Sequence, residues 1–168
     1  HRDLHSFPTR RSSDLHRAFE SKYIKKVVVS TDNEQVAAFA KKEGAEVPFL
    51  RSKEEFDQFV GLDGVLQDAV KKLEDRRHFA DLIIVLKETY PFRPKGFLDQ
   101  LIEEMVATGV DTLIPSYFEY RACFKKNGID IREIDDGFLP REVKDPLYIS
   151  LAGLGLITLP RFIKIGRA

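Results

Sequence analysis

The sequence predicts a single α/β domain with a doubly wound, mostly parallel sheet, and three observations favour this fold class. Aliphatic and β-branched runs at 25–30, 81–86 and 110–116 have the composition of buried strands. Amphipathic helical patterns alternate with these runs, and such alternation builds parallel sheets through crossover connections. With 168 residues, of which 43% are hydrophobic, the chain is long enough to form one core.

The first predicted unit is a strand, a helix and a second strand. The run KKVVVSTD from Lys25 ends in small and acidic residues, which is typical of a buried strand that enters a loop. The apolar spacing over 33–43 predicts a helix, and Gly44 suits its left-handed end. Residues 45–50 follow as a short strand. Pro48 has no N–H to donate, so this strand is expected at an edge or to end there.

The middle of the chain predicts two more helices around a central strand. Apolar side chains recur at helical spacing over 62–73. The run DLIIVL at 81–86 predicts the strand, and KETYPFRP breaks it before a helix that ends at Gly109. Residues 110–116 then form a third strand.

After Ser116 the pattern changes to a small β-rich insertion. Two strand-like runs flank Lys126-Asn127-Gly128, a combination typical of a hairpin turn. Residues 154–159 then return to the main sheet. We expect the insertion to be a surface through which a homodimer could form.

Charge and composition exclude several classes of partner and site. Lys plus Arg and Asp plus Glu number 27 each, so no uniform field would hold nucleic acid or an anionic membrane surface. Cys123 is the only cysteine, which excludes an internal disulfide and fits a reducing cytoplasm. The sequence has no His/Cys cluster of the zinc type, and its apolar runs are too short to span a bilayer.

Both ends of the sequence look foreign to the domain. The run HSFPTRRSSDL at 5–15 resembles the translation of a sequencing adapter, and KIGRA at 164–168 resembles the same adapter read from the other strand. We therefore expect residues 1–15 and 164–168 to be artefactual tails around a partial domain at 16–163. The alternative is a natural basic arm.

Polar residues follow the predicted strands at their carboxyl ends, where ligand sites of open α/β sheets lie. Asp32 could orient a ribose hydroxyl or a metal-bound water, or it could cap the helix that begins at Asn33. Arg51 could bind a phosphate or a base carbonyl, or it could pair with Glu54 or Glu55 on the surface. From spacing alone, capping and the surface pair are favoured.

The loop from Lys87 to Pro94 is a second place for chemistry. Two prolines fix its path, so that Thr89 and Arg93 could face a crevice, although a purely structural turn is equally consistent. Lys87 places a charge at the end of a buried strand and must reach either water or an anion.

Further along, Arg141 stands in a loop before Pro146 and Tyr148 and suits a carboxylate ligand, or simply water. His16, His78 and Cys123 are isolated from one another, and none supports a catalytic triad or a metal site.

Two stretches resemble a known family. Residues 21–51, including the Ser-Thr-Asp turn and Arg51, resemble the second strand–helix–strand unit of CMP-sialic acid synthetases, the acylneuraminate cytidylyltransferases. Residues 85–93 resemble that family's L-Q-P-T-S-P-L-R loop. The resemblance covers about 16–163 and implies the nucleotide-diphosphosugar transferase type of Rossmann-like fold.

The resemblance also implies an activity, in which CTP is coupled to an acidic sugar, an N-acylneuraminate or related nonulosonate, with release of pyrophosphate and assistance from Mg²⁺. It implies that Arg51 and Asp32 bind the nucleotide. The residues implied on the sugar side are Lys87, Thr89, Arg93, Arg141 and Tyr148. The family's R-x-G-S-K-x-x-P-x-K-N loop, which grips the CTP phosphates, should precede Ala18 and is not in this sequence. The catalytic residues therefore stay unknown, the Mg²⁺ ligands are not expected within this stretch, and we expect the chain as it stands to be inactive.

Three positions depart from the family pattern. Lys87 replaces a sugar-contacting Gln, Val60-Gly61 replace a serine-rich nucleotide contact, and LAGLGL at 151–156 replaces N-G-A-I-Y. A Lys at this point favours an acceptor with an additional anionic group. The departures leave room for another nucleotide or sugar on the same fold. A non-catalytic α/β binding module, such as a phospho-acceptor receiver, is the alternative from another class.

Overall fold

The structure is a computed structural model that describes residues 7–52 and 61–166. The predictions on residues 1–6, 53–60 and 167–168, including those on Val60, Glu54 and Glu55, lie outside the described residues. The helices are α1 Phe7–Phe19, α2 Glu34–Lys42, α3 Leu62–Glu74, α4 Phe97–Thr108, α5 Ala152–Gly155 and α6 Pro160–Lys164. The strands are β1 Ile83–Val85, β2 Thr112–Leu113, β3 Ser116–Glu119, β4 Phe124–Asn127, β5 Asp130–Glu133, β6 Leu147–Ser150 and β7 Leu156–Thr158.

The main sheet has three strands in the order β1-β7-β2. β7 is antiparallel to both neighbours, with Ile157 opposite Ile84 of β1 and Leu113 of β2. β1 and β2 therefore run parallel to each other, and α4 connects them. The crossover predicted from the alternation of strand, helix and strand is present, with the antiparallel β7 lying between its two strands.

The α/β composition is confirmed, whereas a doubly wound parallel sheet is not what the described residues form. Their ladders in all three sheets are antiparallel. Parallel pairing occurs as two isolated bridges, Val28 with Glu46 and Thr31 with Leu50. The strands predicted at 25–30 and 45–50 are thus reduced to two contacts, because a short strand is stable only when its edges are paired.

Helix predictions agree with the structure more closely than strand predictions do. α2, α3 and α4 occupy the predicted segments, and Gly44 and Gly109 take the left-handed conformation at the helix ends. The strand predicted at 110–116 is instead divided at Pro115 between β2 and β3, since proline donates no ladder hydrogen bond. The strand predicted at 154–159 begins only at Leu156, because α5 takes up the residues before it.

The insertion consists of two antiparallel hairpin-like pairs, β3 with β6 and β4 with β5. The predicted turn joins β4 to β5, with Gly128 at φ +64°. A buried ion pair closes this region: the Lys144 ammonium donates to Asp135 Oδ2 and to the Gly137 carbonyl, at 2.7 Å in both cases. Asp135 also accepts from the backbone N–H of Cys123. The insertion is therefore held by polar contacts more than by an apolar core.

Two apolar clusters make up the described core. The first is centred on Leu15, Ala40 and Ala45, beneath α1 and α2. The second is centred on Ile102, Met105 and Ile157, where α4 packs on the main sheet. A large cavity lies between the clusters and is lined by residues of both.

Helix α1 crosses the boundary that was predicted for an artefactual tail. Leu15 is buried in the first cluster, and Ala18 is buried one helical turn further on. The foreign origin of residues 1–15 and 164–168 stays a prediction. Within the described ranges, no helix combines the length and the apolar character needed to cross a bilayer.

Candidate functional site

The cavity between the two apolar clusters is the place where predicted site residues meet. Its volume is about 830 Å³. One wall is the segment from Tyr23 to Asn33, and the opposite wall includes Leu82, Ile84 and Leu86 along β1. The cavity has a polar end, where Asp32 and Arg51 line it beside each other, and Glu88 is a further charged residue of its lining.

The polar end begins at the turn that follows the first wall. Thr31 is buried, and its hydroxyl accepts a hydrogen bond from Asn33 N–H at 3.1 Å. Asn33 caps α2, since its side-chain oxygen accepts from the N–H groups of Gln35 and Val36 at 2.9 and 3.2 Å. The capping role that spacing favoured for Asp32 is therefore wrong, because Asn33 performs it and leaves the Asp32 carboxylate at the cavity.

Arg51 lies beside Asp32, with Nη2 3.7 Å from Oδ1 of the carboxylate. The side chain of Arg51 is three-quarters buried. Its backbone N–H donates to the carbonyl of Thr31 at 2.9 Å, which fixes the arginine next to the turn. The structure thus brings together the two residues that were predicted to contact a nucleotide.

Two buried polar atoms at this end have no hydrogen-bond partner among the described residues: Arg51 Nε and Ser30 Oγ. Buried polar groups in proteins are nearly always satisfied, so donors left open in a cavity indicate a ligand or ordered water. Ser30 was not predicted as a site residue. Its position in the Ser-Thr-Asp turn was the available signal.

The electrostatics of the cavity are mixed. Asp14 lines it and pairs with Arg93; burial raises the pKa of the Asp14 carboxyl, although the Arg93 charge opposes this. In the part of the chain that the structure describes, no three His, Cys, Asp or Glu side chains are grouped as metal ligands.

The loop that follows β1 lies against α5. The N–H of Lys87 donates to the Gly153 carbonyl at 2.8 Å, and the N–H of Tyr90 donates back to the Lys87 carbonyl at 3.2 Å. Thr89 is exposed at the tip of the turn. Lys87 and Thr89 do not line the cavity that contains Arg51, although Glu88 between them does.

Arg93 ends this loop and is buried, with no side-chain surface exposed. Its Nε donates to the Leu154 carbonyl at 2.7 Å, and its Nη2 donates to the carbonyls of Gly153 and Lys87 at 2.6 and 3.1 Å. Its Nη1 pairs with Asp14. All three nitrogens of the guanidinium are thus bonded within the chain, and in this conformation none reaches a crevice.

The other two residues predicted for the sugar lie on the insertion. The Arg141 guanidinium lies 4.4 Å from the centre of the Tyr120 ring. Tyr148 in β6 is exposed and makes an edge-to-face contact with Phe118, with ring centres 5.0 Å apart. Neither residue lines the cavity. The structure therefore unites the predicted nucleotide residues and leaves the predicted sugar residues at separate places.

Comparison with known proteins identifies the family of the chain. The family model described as Cytidylyltransferase matches residues 14–132. A pseudaminic acid cytidylyltransferase of Campylobacter jejuni subsp. jejuni serotype O:2 is 30% identical over 95 residues, which are 56% of this chain and 41% of the relative. A CMP-N,N'-diacetyllegionaminic acid synthase of Legionella pneumophila is 32% identical over 92 residues, which are 55% of this chain and 40% of the relative.

The matched part is thus about two fifths of the length of these relatives. The family model covers 14–132, well over half of the chain, and this range contains Asp32, Arg51 and the loop from Lys87 to Arg93. On these grounds, the chain belongs to the cytidylyltransferase family.

Proposed function

We propose that this chain is part of an enzyme that transfers CMP from CTP to an acidic nonulosonate sugar and releases pyrophosphate. The observation that supports this most directly is the unsatisfied Arg51 Nε beside Asp32 at the polar end of the cavity. The relatives' names, pseudaminic acid cytidylyltransferase and CMP-N,N'-diacetyllegionaminic acid synthase, favour the same activity and differ in the sugar.

The nucleotide would lie at the end of the cavity formed by Ser30, Asp32 and Arg51. A guanidinium binds phosphate or carbonyl oxygens through charge-assisted hydrogen bonds, and the Asp32 carboxylate accepts from a ribose hydroxyl. The open Ser30 hydroxyl would supply a further polar contact. By resemblance, Lys87, Thr89, Arg93, Arg141 and Tyr148 belong to the sugar side.

Mg²⁺ is part of the proposal through the family resemblance. The resemblance does not place its ligands within this stretch, and among the described residues no three His, Cys, Asp or Glu side chains are grouped as metal ligands, so these residues do not form a magnesium site of their own. When bound, the ion would neutralise charge on the triphosphate during transfer. The chain's own contribution would be to orient the nucleotide through Arg51 and Asp32.

The test is CTP binding measured by calorimetry on this chain and on Arg51→Met. Losing a charge-assisted hydrogen bond costs about 1.5–3 kcal/mol, so affinity should fall about tenfold to a hundredfold. Arg161→Met is the matched control, since Arg161 is an exposed arginine that pairs with Asp111 and does not line the cavity. Equal CTP affinity in the wild type and Arg51→Met would contradict the nucleotide site.

A nucleotide panel separates the remaining alternatives. Preference for CTP over UTP, ATP and GTP supports the cytidylyl assignment, and preference for another nucleotide indicates a different transferase of the same fold. A receiver-like module would bind none of them and would be indifferent to Arg51→Met. A panel of pseudaminic, legionaminic and N-acetylneuraminic acids, read by pyrophosphate release on the full-length protein, identifies the sugar.

The proposal includes the doubly wound parallel sheet of the family fold. The parallel bridges Val28–Glu46 and Thr31–Leu50, together with the α4 crossover between β1 and β2, are what supports it in this chain. A cytoplasmic location is part of the same proposal, since the free Cys123 suits a reducing compartment.

A homodimer through the insertion completes the proposal. Two-stranded sheets are marginal alone, and the insertion exposes large apolar side chains that monomers rarely leave uncovered. These are Tyr117, Phe118, Phe124, Ile129, Ile131, Ile134, Phe138, Leu139 and Tyr148. Sedimentation of the wild type and Ile131→Lys tests this: the wild type should be a dimer and the variant a monomer. Val106→Lys is the control, since Val106 is an exposed side chain of α4, outside the insertion.

A further inference from the structure

The buried guanidinium of Arg93 donates to backbone carbonyls in two segments that are far apart in the sequence. It donates to the Lys87 carbonyl at one end of its own loop and to the carbonyls of Gly153 and Leu154 in α5. These two segments also contain the departures from the family pattern, Lys87 and the LAGLGL run. In the structure they form one contact, because the Lys87 N–H donates to the Gly153 carbonyl at 2.8 Å.

Gly153 permits this contact by having no side chain. A Cβ at Gly153 would lie 2.9 Å from Lys87 Cβ and 2.9 Å from Tyr90 Cδ2. Lys87 Cβ is attached directly to the backbone, so it could move away only if the loop moved. The backbone of Gly153 is not in the left-handed region, so alanine there would cause no backbone strain. Its only conflict would be the steric clash with the neighbouring loop.

The geometry suits arginine and no other cation. A planar guanidinium presents several N–H donors in a fixed fork, whereas a lysine ammonium is a single point of charge. One ammonium could not reach the carbonyls of Lys87, Gly153 and Leu154 in the directions that Nε and Nη2 serve. Peptide carbonyls and the Asp14 carboxylate together compensate the buried charge, which would otherwise be strongly unfavourable.

We propose that Arg93 is a positioning residue that clamps the Lys87–Arg93 loop onto α5 and thereby fixes where the Lys87 ammonium meets the anionic group of the sugar. This rests on the proposed function, and it gives Arg93 a role other than direct contact with the sugar. None of the ion pairs among the described residues includes Lys87, so its charge is available to a ligand. Selectivity for the sugar then depends on Arg93, Gly153 and Lys87 acting together.

The first measurement is amide hydrogen exchange on this chain, on Arg93→Lys and on Gly153→Ala. The amides of Lys87 and Tyr90 should exchange about tenfold faster or more in both variants, while those of α4 keep their protection. Gly61→Ala is the matched control, because a Cβ there meets nothing within 4 Å. Unchanged protection of Lys87 and Tyr90 in both variants would overturn the clamp.

If Arg93→Lys destabilises the whole domain, Gly153→Ala decides between a local clamp and general destabilisation, since it leaves the buried guanidinium in place. Selective loosening of the loop in that variant supports the clamp, and loosening spread evenly over the domain overturns it.

The second measurement is ligand binding by calorimetry, with pseudaminic acid and CTP as separate probes. In Arg93→Lys and Gly153→Ala, the Kd for the sugar acid should rise about tenfold and the Kd for CTP should change less than twofold. A merely destabilised fold would weaken both ligands, and that result would overturn the positioning role.

Lys87→Ala separates this inference from the proposed function. Loss of sugar-acid binding in Lys87→Ala but not in the clamp variants would overturn the positioning role and leave the proposed function intact. If the wild type binds no sugar acid, or if Lys87→Ala has no effect, the sugar assignment fails. The clamp as a link between loop and α5 is then still decided by hydrogen exchange.

Discussion

The main sheet and the segment 25–51 contain similar strand-like sequences but form different amounts of regular β-structure. VVVS at 27–30 and LIIVL at 82–86 are both aliphatic strand patterns. The second forms β1, which is paired with the fully buried strand β7. The first forms two isolated bridges and leaves its side chains half-buried along a cavity.

The two segments differ in the strands available to pair with them and not in their intrinsic strand propensity. Val29 donates to the Glu46 carbonyl, and the Val27 carbonyl accepts from Glu46, so one edge of the segment is satisfied. Successive residues of an extended chain present their N–H and C=O groups to opposite sides, which turns those of Val28 and Ser30 away from Glu46. The main sheet therefore contributes to the core, and the segment 25–51, which has one unpaired edge, contributes to the candidate site.

Hydrogen exchange should give the largest contrast between these regions. Amides of β7, at the centre of the main sheet, should exchange only through global unfolding, whereas those of Val28 and Ser30 should open locally. With a global stability of about 5 kcal/mol or more, the rates should differ by about five thousandfold or more. Protection of Val28 and Ser30 equal to that of Ile157 would show that the open edge is paired in solution.

Truncation of a core side chain should have the next largest effect. Ile157 has no exposed surface and packs between α4 and both flanking strands. Ile157→Ala should lower the free energy of unfolding by about 2–5 kcal/mol, because it removes buried methyl groups and leaves a cavity. Urea denaturation measures this loss.

Val47→Ala is the counterpart in the other region. Val47 packs against the first cluster but is only half-buried, so the loss of stability should be under about 2 kcal/mol. Equal losses in the two variants would mean that the two clusters are equally well packed.

Loss of the Lys144–Asp135 ion pair should destabilise the insertion without destabilising the main sheet. The pKa of Asp135 is lowered chiefly by the hydrogen bond from Lys144, so the pair contributes stability that is present above the carboxyl's usual pKa and is lost as pH falls through the lowered value. Lys144→Met should speed proteolytic cleavage within 120–146 about tenfold at neutral pH. Cleavage that is accelerated equally in α4 would indicate instead that the insertion and main sheet unfold together.

The helices could be predicted from the sequence because their information is local. The apolar spacing of α3 and α4 and the glycine after each of α2 and α4 were sufficient. Strand pairing is not local: the position of β7 between β1 and β2 depends on which edges are free after α4 has packed. The hairpin at Lys126-Asn127-Gly128 was predictable because its turn specifies its own register.

The position of the candidate site could also be predicted in part from the sequence. Asp32 and Arg51 directly follow the two residues of the parallel bridge Thr31–Leu50, which brings them together at one end of the paired segments. Asn33 rather than Asp32 caps α2 because the helix begins at Glu34, one residue later than predicted, and apolar spacing does not fix a helix boundary to a single residue. The burial of Arg93 depends on carbonyls that lie 60 residues away in the chain, in α5.

The smallest expected effect concerns the end of β3, where Glu119 accepts hydrogen bonds from the Arg121 guanidinium and backbone N–H. These bonds lower the pKa of Glu119 from 4.5 to about 2. The stabilisation is therefore complete above about pH 4.5 and is lost as pH falls toward 2. Its size is small because Arg121 is largely exposed and the pair is screened by water and salt.

An NMR titration of the Glu119 carboxyl measures this directly. In the wild type the carboxyl should remain ionised down to about pH 2, whereas in Arg121→Met its pKa should return toward 4.5. Arg132→Met, on the exposed strand β5, should leave the Glu119 titration unchanged. A wild-type pKa near 4.5 would mean that the arginine contact is not maintained in solution, and that β3 is as loosely held at its end as 25–51 is along its open edge.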